Sequence, residues 1–274
     1  MKMILFRYLL VCSLSVYLTA SVGQHRQEPD KGIPLKVMSY NIHHANPPSK
    51  DSLIDIDAVV EVIRAAGADV VALQEVDQLT KRSGKMDQPK LIAEKLRMHY
   101  FFAKAMDYDG GAYGQLLLSK YPIVSTTVHK LPAVAGFKGE PRIMGEIQVQ
   151  LDQNTVIRFA TVHLDAQKDE ENRLLQAKYI VNSLGKKKIP AIIAGDFNAT
   201  EYSKPIEILK GSLKPTCSNC AFTIPVINPK KAIDFIMLDK LSNWKVVSHQ
   251  LIDEQYASDH LPVLSSLILQ RKEK

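Results

Sequence analysis

The chain has 274 residues, 46% of them hydrophobic and 23% charged, which is globular composition and excludes a disordered or fibrous protein. A domain of this size buries enough surface to fold without help from metals or disulfides, and the sequence carries no internal repeat. The net charge of +6 is too small to demand nucleic acid as a partner.

At the start, Lys2 and Arg7 precede an uncharged stretch over residues 8–22, and Ser21-Val22-Gly23 supplies small residues at its exit. That order describes a signal peptide over residues 1–23, cut before Gln24. A membrane anchor is the alternative, but the stretch is shorter than the roughly 17–25 residues of a spanning helix. Cys12 follows bulky Val11 inside the apolar run, which argues against a lipoprotein site. The expected location is the periplasm or the extracellular space. Removing the signal leaves 33 basic and 29 acidic residues, about +4. It also leaves two cysteines, Cys217 and Cys220, which in an exported chain suit a small disulfide loop, with two idle thiols as the alternative. A zinc site would need a second ligand pair at matching spacing, and none follows nearby.

Residues 24–34 are polar, carry two prolines and read as a loose lead-in to a single domain over residues 35–271. Residues 35–42 alternate like a strand. Ile56, Val59, Val60 and Ile63 repeat at helical spacing, with Asp55 to cap the start and Gly67 to stop it. Residues 69–73 form a short buried strand, 91–98 a helix and 100–103 a strand. Four further strands are predicted at 113–119, 124–131, 143–151 and 156–164. Leu174, Ala177, Val181 and Leu184 mark a helix that opens on Asp169, Glu170 and Glu171. The run Lys186-Lys187-Lys188 after Gly185 reads as its solvated cationic end rather than a phosphate patch. A strand at 190–194, a short helix at 205–210 and strands at 233–238, 244–251 and 262–269 complete the chain. More than eight strands with three or four helices suit two packed sheets with helices outside, not one doubly wound sheet.

One pattern recurs along this order: polar residues stand where buried strands stop. Asn41 ends the first strand and Glu75 the second. His163 falls near the end of the strand at 156–164, and Asp196 and Asn198 follow the apolar run 192–194. Asp234 opens the strand at 235–238, and Asp259 and His260 precede the last one. Loops at strand ends are where a rigid scaffold collects functional groups. Carboxylates and amides without cysteine suit a hard cation such as magnesium, with manganese as the alternative. Such an ion neutralises phosphate charge and acidifies bound water, and a histidine held by an aspartate moves protons near neutral pH. Each residue has an ordinary reading as well. Asn41 and the stretch at 195–198 suit turns, Glu75 and Asp77 suit caps or solvated acids, and His163 suits a satisfied buried histidine. The coincidence of six such sites favours the chemical reading.

Seven segments then carry a resemblance. Ser39-Tyr40-Asn41-Ile42, Leu73-Gln74-Glu75-Val76-Asp77, Leu117-Leu118-Ser119-Lys120-Tyr121-Pro122-Ile123, Thr161-Val162-His163-Leu164-Asp165, Gly195-Asp196-Phe197-Asn198-Ala199, Ile233-Asp234-Phe235-Ile236 and Ser258-Asp259-His260-Leu261-Pro262-Val263 resemble, in order, the blocks of the endonuclease/exonuclease/phosphatase superfamily. The resemblance implies a four-layer αββα sandwich with two central mixed sheets, of the deoxyribonuclease I type, with the active site at their shared edge. It implies Glu75 as the principal metal ligand, assisted by Asn41, with Asp259 serving metal or water. Asp196 and Asn198 would align the attacking water and the phosphate. His260 would handle the proton, oriented by Asp234, and His163 would hold a phosphate oxygen or help the leaving group. Arg142 matches a basic position that clamps phosphate, with a surface arginine as the alternative. Gln115 stands where many relatives carry asparagine. His43 and His44 lie just beyond Asn41 and are lesser candidates for touching substrate. A wall of the site from the loop at 217–228 with Phe222 is a further expectation. The implied activity is hydrolysis of a small-molecule, lipid-linked or glycolipid-linked phosphoester. A secreted magnesium-dependent nuclease is the alternative, and a non-catalytic binding module is the rival from another class. No obligate protein partner is implied, and a monomer is expected.

Overall fold

The run Val70-Val71-Ala72-Leu73 offers no polar face, and the computed structural model shows why: apolar layers cover it on both sides. Val70 and Ala72 point between two sheets, whereas Val71 and Leu73 point outward under helices. A strand buried on both faces reads as a continuous apolar run instead of an alternation. The structure describes residues 32–184 and 189–271; the expected signal peptide, residues 24–31 and the lysine run 186–188 lie outside them.

In chain order the elements are β1 (Ile33–Asn41), α1 (Ile56–Ala66), β2 (Val70–Gln78), α2 (Gln88–Leu96), β3 (His99–Tyr108), β4 (Gly111–Ser119), β5 (Ile123–Lys130), β6 (Ile143–Asp152), β7 (Thr155–His163), α3 (Glu171–Leu184), β8 (Ala191–Asp196), α4 (Lys204–Lys210), β9 (Leu213–Pro215), β10 (Asp234–Asp239), β11 (Trp244–Leu251) and β12 (Val263–Leu269). One six-stranded sheet has the order β11-β12-β1-β2-β4-β3, and the other β5-β6-β7-β8-β10-β9. Each is mixed and built alike, with one parallel pair at its centre, β1–β2 or β7–β8, and antiparallel neighbours outside. A parallel pair needs a crossover, and α1 and α3 supply the two.

Three apolar layers hold the assembly. Leu35, Val37, Leu117, Phe159 and Ile192 pack between the sheets. Val59, Val60 and Ile63 of α1 cover Met38 and Tyr40, and Ala177 and Ile180 of α3 cover Ala160 and Ile193. The predicted four-layer sandwich is the fold observed. Local signals hold too: the Asp55 carboxylate accepts the Ala58 N–H at 3.0 Å, and Gly67 closes α1 in the left-handed region at φ 63°.

Several boundaries differ from the sequence reading: β3 runs to Tyr108 instead of 103, α2 spans Gln88–Leu96 instead of 91–98, and three further differences bear on the architecture. β1 takes in Ile33 and Pro34, which were expected in the lead-in. Pro34 is tolerated because β1 pairs with β12 along its length but meets β2 only from Val37. β2 runs to Gln78, past the expected end at 73, because an irregularity at residues 74–75 lets pairing with β4 resume at Val76. The three-residue β9, at the edge of its sheet beside β10, has too few residues to show a period.

Candidate active site

Register brings the polar strand ends together. Asn41 is the last residue of β1 and sits beside Gln74 of β2 in the parallel pair. In the other sheet His163, the last residue of β7, sits beside Asp196, the last of β8, and Asp196 pairs across to Asp234 at the start of β10. These ends meet at one edge of the sandwich. The loop into β12 adds Asp259 and His260, anchored where the Ser258 hydroxyl donates to the Asn41 carbonyl at 2.7 Å.

Glu75 owes its position to the irregularity in β2. It adopts φ 58°, a conformation rare for a residue with a Cβ, and breaks the two-residue alternation of the strand. Its carboxylate Oε1 accepts the Asn41 Nδ2 N–H at 3.0 Å, and the same amide nitrogen donates to Asp196 Oδ2 at 3.2 Å. Asn41 thus joins an acid of one sheet to an acid of the other, while its own oxygen accepts the His43 N–H at 3.1 Å. Asn198, at φ 46°, turns so that its N–H donates to Asp196 Oδ1 at 2.8 Å and its side chain to the Leu164 carbonyl at 3.0 Å.

Two histidines flank Asp196. His260 Nε2 lies 3.8 Å from Asp196 Oδ2 and His163 Nε2 lies 3.7 Å from it. His260 Nδ1 donates to Asp234 Oδ2 at 2.9 Å, and the Thr223 hydroxyl donates to that same oxygen at 2.5 Å. Burial acts to lower the His260 pKa, but the Asp234, Asp196 and Asp259 carboxylates more than reverse it, pushing it up to about 10. Burial raises the Asp196 carboxyl to about 7, with Asp234 adding to the rise and His260 opposing it. Burial holds His163 well below its usual value, helped by Arg142 and His260, so that imidazole is neutral at pH 7.

These groups line one cavity of about 340 Å³, with Glu75, Asp196, Asn198, Asp259, His163 and His260 on its wall. Arg142 is there too. Its side chain is 8% exposed and ion-paired with Glu140 at 3.0 Å, so the surface-arginine alternative falls. Gln115, buried, donates to the Ile143 carbonyl at 3.3 Å and adjoins a small hollow shared with Arg142 and His163. Ile224 is the wall residue from the loop at 217–228, while Phe222 is 53% exposed and does not line the cavity. In that loop Cys217 and Cys220 are disulfide-bonded. His43 and His44 do not line the cavity either.

The sequence reading missed Arg82 and Thr223. Asp77, weighed only as a cap or solvated acid, is fully buried and accepts from Arg82 Nε at 2.7 Å and Nη2 at 2.8 Å. Thr223 gave no signal, since it lies in irregular chain whose path depends on pairing with Lys231.

The acids also fit a hard cation. Among the described residues Glu75 and Asp259 form no ion pair, yet both share the cavity with Asp196, a crowding that an ion would relieve. Asp196, Asp234 and His260 form a second grouping whose ligand atoms lie within 4.8 Å of one another. A two-sheet α/β sandwich whose parallel strands end in carboxylates, amides and histidines around one cavity defines a class of hydrolases. Residues 38–260 match the Endonuclease/Exonuclease/phosphatase family, and the chain belongs to it: a hydrolase acting on phosphoester bonds. Solved structures share the fold. An endonuclease/exonuclease/phosphatase family protein from Bacteroides thetaiotaomicron aligns with TM-score 0.72 and 19% identity over 88% of this chain and 99% of its own. A mannosyl-6-phosphatase from the same organism gives 0.71 and 20% over 86% and 100%. The human Nocturnin catalytic domain with bound sulfate gives 0.66 and 21% over 86% and 94%.

Proposed function

We propose that this protein is a divalent-metal-dependent phosphoesterase, magnesium being the natural ion, acting on small-molecule or lipid-linked phosphoesters. The observation that carries the reading is the Asn41 amide held between Glu75 at 3.0 Å and Asp196 at 3.2 Å, with His260 3.8 Å from that same Asp196 oxygen. A metal-ligating pole and a proton-handling pole therefore touch.

Glu75 and Asp259, with Asn41 beside them, would hold the cation, which would supply charge neutralisation to the phosphate and the departing oxygen. Asp196, tuned to about 7, is matched to taking a proton from water near neutral pH, and the Asn198 N–H fixes its orientation. The water oxygen attacks phosphorus, the bond from phosphorus to the leaving oxygen breaks, and that oxygen takes its proton from solvent. Protonated His260, steadied by Asp234, points its Nε2 toward the Asp196 side and offsets charge that builds on the phosphate. Neutral His163 and the buried Arg142 hold phosphate oxygens. A half-open cavity of about 340 Å³ and a fold shared with a mannosyl-6-phosphatase support a small substrate over duplex nucleic acid. The disulfide supports export to an oxidising compartment.

The test is hydrolysis of p-nitrophenyl phosphate and bis(p-nitrophenyl) phosphate with each divalent ion and with EDTA. Metal-dependent turnover that His260→Ala reduces at least a hundredfold supports the reading. Equal rates for wild type and variant, or turnover indifferent to EDTA, overturn it. Nicking of plasmid DNA faster than cleavage of any small ester favours the nuclease.

A further inference from the structure

One side of the cavity is built with a care that phosphate hydrolysis does not require. Arg82 lines the cavity, yet two of its three guanidinium nitrogens are committed to Asp77. Asp77 is fixed in turn by the Thr80 hydroxyl at 2.7 Å and the Ser83 hydroxyl at 2.5 Å. The guanidinium lies 4.6 Å from the ring centroid of Tyr108 and 5.5 Å from that of Tyr113, both of which also line the cavity. The loop bearing Arg82 is tied to the β3–β4 hairpin: the Arg82 N–H donates to Asp109 Oδ2 at 2.6 Å, and Lys85 Nζ donates to the Gly110 carbonyl at 2.8 Å. Ordering a long side chain this thoroughly sacrifices rotamer freedom in advance, so little is lost when a ligand arrives.

The charges say what that ligand is. Arg82 is neutralised by the buried Asp77, which takes two of its nitrogens, so its guanidinium offers little free positive charge. Glu140, outside the proposed cation site, adds a carboxylate to the same cavity. A second phosphate at the Arg82 end would meet acids and an already balanced cation. Arg82 Nη1 is not used by Asp77, and the guanidinium carbon stands over the rings of Tyr108 and Tyr113. A fixed guanidinium edge beside two tyrosines, one of them half-exposed, suits the hydroxyls of a sugar or polyol. Resting on the phosphoesterase reading above, we infer that Arg82, Tyr108 and Tyr113 form a subsite for an uncharged polyhydroxyl leaving group.

The experiment compares kcat/KM for hexose 6-phosphates, butyl phosphate and fructose 1,6-bisphosphate, with the first two also supplied as methyl diesters. Wild type should favour hexose over butyl esters by about a hundredfold or more, since a site built for hydroxyls rejects analogues without them. It should also favour the hexose monophosphates over the bisphosphate. Arg82→Lys keeps the charge beside Asp77 but loses the fork, and should shrink the hexose-over-butyl ratio roughly tenfold. Tyr108→Ala, at a half-exposed ring outside the buried Asp77 network, should shrink it several-fold. Equal use of butyl and hexose esters, preference for the bisphosphate, or variants that slow every ester by one common factor would overturn the subsite. Those results leave the hydrolase reading standing. That reading fails separately, by absence of turnover of p-nitrophenyl esters with any divalent ion.

Discussion

Replacing Asp196 with asparagine should abolish activity and stabilise the metal-free fold. The Asp196 carboxyl is buried beside Asp234 and titrates near 7 in the folded protein, against 3.8 as its ordinary value. The folded state therefore holds a proton that the unfolded chain has released, and stability falls as pH climbs from about 3.8 to about 7. A shift of this size corresponds to about 4 kcal/mol above the window, at about 1.4 kcal/mol per unit. Asparagine removes the charge and keeps an oxygen for the Asn198 N–H, but its amide also meets the Asn41 amide as a second donor. That mismatch takes back roughly half of the gain. About 2 kcal/mol remains, or about 5 °C in a domain of this size. Thermal unfolding in EDTA at pH 8 measures it, and repetition at pH 4.5 supplies the control. At the lower pH folded Asp196 is already protonated and only about 1 kcal/mol of the charge penalty remains, less than the mismatch, so the advantage should vanish. A variant less stable than wild type at pH 8, or an advantage of equal size at both pH values, refutes the account of carboxylate crowding.

Other expectations concern groups that stand behind the cavity. Thr223→Val removes one of two donors to Asp234 Oδ2 and should lower kcat roughly tenfold with KM little changed, with Thr223→Ser restoring most of it; an unaltered kcat removes Thr223 from the catalytic support. Asp77→Ala strands Arg82 without its partner and should cost about 3 kcal/mol in urea unfolding, toward the low end for a broken pair because Arg82 keeps 31% of its side chain exposed. A loss below about 1 kcal/mol would show that the pair is not structural. Replacing Cys217 and Cys220 with alanine should cost roughly 2 kcal/mol by the chain-entropy argument for so short a loop, and an unchanged melting temperature would contradict it.

The outline of the fold was legible because its signals are local. Asp55 and Gly67 bracket α1 by capping chemistry alone, and the unbroken apolar run at 70–73 announces a strand covered on both faces. The main site residues were legible for a related reason, since strand ends at one sheet edge must gather in space. What stayed hidden depends on contacts between distant parts of the chain. Arg142 looks like any surface arginine until β6 and the residues before it fold over the cavity. Arg82 becomes part of a wall only when Asp77 is buried beneath it and Tyr108 and Tyr113 are brought alongside by a hairpin some 30 residues on. The departure of β2 from its alternation at Glu75 leaves no trace in composition, because glutamate is not a residue that advertises a left-handed backbone.

The bonds around Asn41 span the sequence unusually far. Its side chain reaches Asp196, 155 residues on, and its carbonyl is held by Ser258, 217 residues on. A polypeptide still emerging from the ribosome cannot assemble this centre until the stretch ending in His260 has joined the first strand. Turnover therefore certifies that the chain has finished folding, and a truncated copy lacks the assembled centre.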